Sequence, residues 1–256
     1  MTQDHSPYTD SAGVPWEGRS FTDNQFKDDD GSADPELIEI IRRFQTNEVP
    51  LAAVVDKFAK ARLLVPLVAI LGEAGTNEAG LKVDKSAELS IVSVRTPDGQ
   101  EGLPVFSSVA AMQSWNADAR PVPNNGRAIA LAAASEGNTR IVLDPGSETE
   151  LVIRRPAIAA IAQGLDWVAP ETNNLVVEEL TQILSDSEIV ESFSLSSGDS
   201  NSRLQGQELV ITLYIEPDVS QRDLESMERD FFDALATNQK FVELVDSVAV
   251  KYLPAS

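Results

Sequence analysis

The chain has 256 residues, 41 acidic and 20 basic side chains, one histidine and no cysteine, giving a formal charge of −21. These counts exclude a disulfide scaffold, a cysteine-ligated metal site, a thiol nucleophile and Cys–His catalysis. They also disfavour nucleic acid as the main partner, because phosphate binding needs a basic surface.

Hydrophobic residues make up 42% of the chain, enough for a packed core. The longest apolar run, residues 63–72, contains Pro66 and falls well short of the roughly 20 residues of a membrane helix. The first residues lack the basic-then-apolar pattern of a signal peptide, so a cytoplasmic protein without membrane contact is expected.

The charge is uneven. Residues 1–34 carry eight acids and two bases, residues 35–163 fifteen and thirteen, and residues 164–256 eighteen and five. The net charges are therefore −6, −2 and −13. The first segment is rich in Asp, Ser, Gly and Thr without periodicity, and reads as a disordered acidic tail.

Order is expected from Asp34, a helix cap followed by Pro35. Leu37, Ile38, Ile41 and Phe44 fall on one helical stripe. A second helix follows Pro50, with Leu51, Val54, Val55, Phe58 and Arg62. Residues 63–70 form a buried strand, with Pro66 near an edge or a bulge. Residues 88–95 form a strand, and Thr96-Pro-Asp-Gly99 is turn chemistry leading to a return strand at 103–106. A helix capped by Ser107 or Ser108 runs to Trp115. An alanine-rich helix spans 126–136 and stops at Gly137. Strands at 140–143 and 150–153 flank the turn Asp144-Pro-Gly-Ser147, and a helix at 155–163 stops at Gly164.

The ordered series Lys85-Ser-Ala-Glu-Leu, Pro97-Asp-Gly99, Leu103-Pro-Val-Phe-Ser-Ser108, Ala119-Arg-Pro-Val122, Glu136-Gly137, Leu143-Asp-Pro-Gly146, Arg154-Arg-Pro-Ala157 and Ala162-Gln-Gly164 resembles the SseB-type N-terminal domain in its actinobacterial form. That family is named for enhanced serine sensitivity. The resemblance covers about residues 36–165 and implies an α/β or α+β domain without established catalytic residues.

Residues 165–172 read as a linker. The remainder, 173–256, reads α-β-β-α-α-β: a helix at 175–184, strands at 188–195 and 208–216 around a polar loop at 196–207, a long helix opened by Ser220, a short helix with Phe241 and Leu244, and a strand at 247–253. This is a small open sheet with helices on one face. The expected fold is thus α+β: two small mixed domains, 35–164 and 173–256, with mainly antiparallel sheets, behind the tail 1–34.

Tests for chemistry are mostly negative. A Ser–His–Asp triad needs a histidine beside the serine, and the one histidine is His5, in the tail. Gly75-Thr-Asn-Glu-Ala-Gly80-Leu-Lys82 has phosphate-loop glycine spacing, but Leu81 stands where lysine belongs and Val83 where a hydroxyl belongs. Residues 28–31 are similar to the start of a calcium loop, yet aligning Gly31 puts Phe26 and Leu37 at ligand positions. No cofactor or metal is therefore expected.

Two charged features remain. Arg154 and Arg155, with Arg127 and Arg140 near in the fold, form a candidate anion or partner contact; ion pairs with Glu148, Glu150 or the acidic C-terminal segment are the simpler role. Asp223, Glu225, Glu228, Asp230 and Asp233 lie opposite the apolar stripe of the long helix, a solvated face that can dock a basic partner. The leading expectation is a non-enzymatic cytoplasmic regulatory or adaptor protein acting through protein contacts. The alternative is a sensor of an amino acid or other anion near Arg154 and Arg155, and an enzyme using carboxylates or lysine ranks third.

Overall fold

A computed structural model describes residues 26–71 and 87–255. The chain divides into two units, 1–30 and 31–256. Of the first, the described part is a turn at 26–28, closed by the Asp29 N–H on the Phe26 carbonyl. The rest of the expected tail and the phosphate-loop test region, residues 75–82, lie outside the described residues.

The second unit is α+β. It begins at Gly31 rather than Asp34: the Gly31 carbonyl accepts the Val109 N–H and the Ser32 carbonyl accepts Arg62. Asp34 caps α1 (Pro35–Gln45), its carboxylate accepting the Glu36 and Leu37 N–H groups. An ion pair with Lys57 of α2 (Leu51–Lys60) ties the two helices together. Arg62 opens β1 (Arg62–Leu71) instead of closing α2.

One three-stranded sheet runs β2 (Ala87–Ile91), β1, β5 (Arg120–Asn125), and is antiparallel throughout. The expected strand 88–95 is split. Ile91 ends β2, and Val94–Arg95 is β3, which pairs with β4 (Glu101–Val105) across the Thr96–Gly99 turn. A four-stranded sheet runs β3-β4-β6-β7, with β6 (Arg140–Leu143) parallel to β4 and antiparallel to β7 (Leu151–Arg154). A backbone bridge between Leu64 and Phe106 joins the two sheets.

β5 is absent from the sequence reading because of its prolines, and the register explains how they are tolerated. Leu64 exchanges both backbone hydrogen bonds with Phe106, so its polar groups point away from β5. Alternation puts Pro66 in the same orientation, and their partners are Pro123 and Pro121. All three prolines thus occupy positions where no ladder N–H is required.

Strand side chains alternate between two buried faces, which is why the strands read as continuous apolar runs. Leu63, Val65, Ile141, Leu143, Leu151 and Ile153 meet α1, α2, α4 (Gly126–Ser135) and α5 (Arg155–Gln163) in the main core. On the other face, α3 (Val109–Trp115) covers Leu64 and Phe106, and Trp115 packs on Phe106 at 5.3 Å. Val142 and Val152 of that face meet Leu204. Asp144, in the left-handed region with φ 47°, is buried and accepts from the Ser107 N–H (2.8 Å), the Ser107 hydroxyl (2.7 Å) and Thr149 (2.8 Å). The Asp-Pro-Gly motif is therefore a latch between the end of β4 and the β6–β7 turn.

A 3₁₀ turn, Pro170–Thr172, leads to a second core. Its elements are α6 (Asn174–Leu184), β8 (Val190–Ser197), β9 (Leu209–Ile215), α7 (Gln221–Thr237), α8 (Gln239–Leu244) and β10 (Val248–Pro254), in the expected order. β9 is central, antiparallel to β8 and parallel to β10. Leu209, Ile211 and Leu213 pack on Val176, Leu180 and Phe231. No helix among the described residues is long and apolar enough to cross a membrane.

The entry to α4 packs with no space to spare. A Cβ on Gly126 would stand 1.9 Å from the Phe58 carbonyl oxygen, a backbone atom of α2. Gly126→Ala is expected to force α2 and α4 apart and to lower stability by about 3 kcal/mol, measurable as a lowered urea midpoint with the slope unchanged.

Candidate functional site

Arg140 and Arg154 face each other directly across β6 and β7. By alternation they lie on the face away from the main core, beside Val142 and Val152. Like charges in that position repel. Asp246, in the loop between α8 and β10, lies between them. Its two oxygens take Arg140 Nη1 and Nη2 at 2.8 Å each, a bidentate pair, and Arg154 Nη1 reaches Oδ2 at 3.2 Å. Side-chain exposures are 3% for Arg140 and 5% for Asp246. Arg140 Nε also donates to Asp98 of the β3–β4 turn at 3.0 Å. That turn's hydrogen bonds, together with Arg140, hold the Asp98 carboxyl below its usual range despite partial burial.

Arg154 is fully engaged at both terminal nitrogens. Nη1 donates to Asp246 and Ser247; Nη2 donates to Asp199 (2.6 Å) and to the Gly206 carbonyl (2.8 Å). Asp199 in turn accepts the backbone N–H groups of Arg203, Leu204 and Gln205. The polar loop expected at 196–207 is observed at 198–208, between β8 and β9, and is a built clamp. Ser202 and Leu204 adopt φ of 50° and 58°. Ser202 pairs with Val152 in both directions, covering the free edge of β7.

Arg155 donates to the Val242 and Val245 carbonyls at the end of α8, a favoured place for a cation. Arg127 lies apart, at the far end of α5, where it approaches the Gln163 carbonyl at 3.4 Å. The structure therefore gathers three of the four expected arginines at one seam, where protein groups occupy each of them.

Beside this seam is a cavity of about 380 Å³. Its apolar wall includes Phe44, Leu51, Val55, Ala157 and Trp167; its polar wall includes Arg154, Asp199, Glu171 and Glu208. Trp167 packs against the main core, and its ring N–H is buried without a hydrogen-bond partner. Glu208, 7% exposed, accepts the Asp246 N–H at Oε2. Burial, reinforced by Asp246 and Glu171, pushes its carboxyl up to about 7, against the opposing effect of that hydrogen bond and of Arg154.

The expected acidic face is split by geometry. Asp223 and Asp230, seven residues apart on α7, line a groove of about 790 Å³ together with Asp186, Glu188 and Asp218. Its floor is Ile183, Leu184, Ile189, Met227 and Phe231, and no lysine or arginine lines it. Glu225 and Asp233 are exposed elsewhere on the helix. Glu228 lies near Tyr252, whose phenol is pushed up to about 12 by burial and by that carboxylate. No cluster of His, Cys, Asp or Glu suited to a metal occurs among the described residues.

Residues 37–160 match the family model of the SseB protein N-terminal domain. This part of the chain is similar to the SseB family. No curated protein and no solved structure matches the chain. Within the matched span, Arg140, Asp144 and Arg154 are held by the contacts described above. The residues that complete the seam, Asp199, Glu208 and Asp246, lie outside the matched span.

Removing the Asp246 carboxylate leaves two buried guanidiniums facing each other. Asp246→Ala is expected to cost about 3–5 kcal/mol, read from urea unfolding; a loss below about 1 kcal/mol would show the pair to be only a surface-grade contact. Glu208 has the opposite sign. Its folded pKa lies above the ordinary value of 4.5, so the folded state holds the proton longer. Its contribution to stability falls as pH rises from about 4.5 to about 7, by up to about 3 kcal/mol. Glu208→Gln is expected to flatten that part of the stability–pH curve and to be the more stable form at pH 8.

Proposed function

We propose that this is a non-enzymatic regulatory or adaptor protein of the cytoplasm, and that its α6–α7 groove takes a basic segment of a partner protein. The supporting observation is the groove's composition: five carboxylates around an apolar floor, with no cation in the lining. A segment alternating lysine or arginine with leucine-like side chains complements both features. Its apolar groups fill the floor, and its cations meet acids that have no ion pair among the described residues. Charge of this kind speeds encounter and fixes orientation more than it adds raw affinity. The arginine seam supports the same choice by default. Its guanidiniums are committed to Asp199, Asp246 and backbone carbonyls, so the acidic surface is the available one. The scarcity of nucleophile–base pairs in the sequence favours a binding role over a catalytic one.

The test uses the full chain and a fluorescent peptide of alternating lysine and leucine, read by anisotropy. Saturable binding is expected. It should weaken about tenfold in a variant carrying Asp223→Asn and Asp230→Asn, and weaken again as salt rises past physiological strength. A glutamate–leucine peptide should not bind. Equal binding by the variant, or none by the native chain, overturns the assignment.

A further inference from the structure

We propose that the cavity beside the arginine seam binds a small organic cation, a primary amine carried on an apolar or aromatic body. This goes beyond the partner-docking reading and uses different residues.

The charge balance of the cavity carries the argument. At first sight Arg154 suggests an anion site. Both of its terminal nitrogens are occupied, by Asp199, Asp246, Ser247 and the Gly206 carbonyl. Asp199 is likewise satisfied, by Arg154 and three backbone N–H groups. Arg154 and Asp199 neutralise each other at 2.6 Å. Glu48, at the rim, is engaged with Arg43 and Thr46. What remains uncompensated is negative: Glu171 and Glu208. Neither has an ion pair among the described residues. Glu208 is more than nine-tenths buried, lines the cavity, and receives one hydrogen bond, at Oε2. Its Oε1 is left for whatever enters.

The remaining walls specify the rest of the ligand. The volume, about 380 Å³, lies within the range of small-molecule pockets. Phe44, Leu51, Val55 and Trp167 offer apolar surface in the same cavity as the carboxylates, and an indole also attracts a nearby cation. An ammonium group between Glu171 and Glu208, with its hydrocarbon against Trp167, satisfies both sides. No covalent step is involved.

The amine also displaces the proton that burial keeps on Glu208. The groups facing that carboxyl are Asp246, Arg154 and Glu171, and among them the ligand is the added positive charge. Affinity therefore rises with pH through the range in which Glu208 titrates.

The probe is 2-phenylethylamine, titrated into the full chain by calorimetry, with 2-phenylethanol and 3-phenylpropionate as the uncharged and anionic counterparts. One saturating site is expected for the amine, about tenfold tighter at pH 8 than at pH 6. The alcohol and the acid should bind at least about tenfold more weakly. Glu171→Gln, at a partly exposed position whose side chain has no hydrogen bond or ion pair among the described residues, should weaken the amine several-fold with the melting temperature unchanged. Glu208→Gln should weaken it and abolish the pH dependence. No saturation at about 10 mM amine and pH 8, equal binding of the alcohol, or indifference to both substitutions overturns the proposal. The groove peptide of the preceding section serves as a control whose binding these substitutions leave intact.

Discussion

The structure depends on one carboxylate. Asp246 stands between two arginines that β-sheet register places face to face, and it comes from the other hydrophobic core of the molecule. Without it, β6 and β7 bring two cations together at the back of the sheet. With it, the repulsion becomes the contact that joins the two cores. Asp199 performs the same service for Arg154 from a different loop. That loop accepts two residues in the left-handed region, Ser202 and Leu204, each costing on the order of 1 kcal/mol. The paired hydrogen bonds to Val152 and the burial of Leu204 against Val142 offset that strain.

The charge of −21 takes on structure when it is placed on this fold. Part of the acidic excess of residues 164–256 goes to two destinations. Asp199 and Asp246 are buried against arginines of the preceding segment, and Glu208 is buried beside them on the Asp246 N–H. The acids of the α6–α7 groove face solvent beside apolar side chains. The near-neutral balance of residues 35–163 is equally misleading as a bulk figure, because Arg140 and Arg154 are matched by acids from beyond that segment. A net charge per segment thus counts together groups that neutralise one another across the seam and groups that remain available.

Most of the fold was legible because it is local. Caps at Asp34, Ser108 and Ser220, the αL stop at Gly164 and the apolar runs of β6, β7 and β9 all carry their signals within a few residues. β5 was not legible: two prolines in six residues argue against a strand unless the register that excuses them is known. The four arginines were grouped in the sequence as a candidate contact, and the structure brings three of them, without Arg127, to one seam. Their partners were not legible, because Asp246 and Arg140 are 106 residues apart and nothing near Asp246 marks it among the many acids of its segment. The 198–208 clamp was hidden for a related reason. Ser, Asn, Gly and Gln in a row describe a solvated loop and a hydrogen-bonded one equally well.

The seam also explains why proton and ligand converge on one residue. Four acids gather around two arginines: Asp98, Asp199, Asp246 and Glu208 against Arg140 and Arg154. Asp98 is partly solvent-exposed and carries a lowered pKa, so it stays ionised at low cost. Asp246 and Asp199 hold direct guanidinium contacts. Glu208 is left with a backbone N–H and the repulsion of its neighbours. A buried carboxylate in that position has two ways to lower its energy: to keep a proton, or to meet a cation from outside the chain. The first gives the raised pKa. The second requires room beside it, and the cavity lined by Trp167 and Glu171 supplies that room. The same excess of acid that fastens the two cores therefore leaves one carboxyl whose charge is open to change.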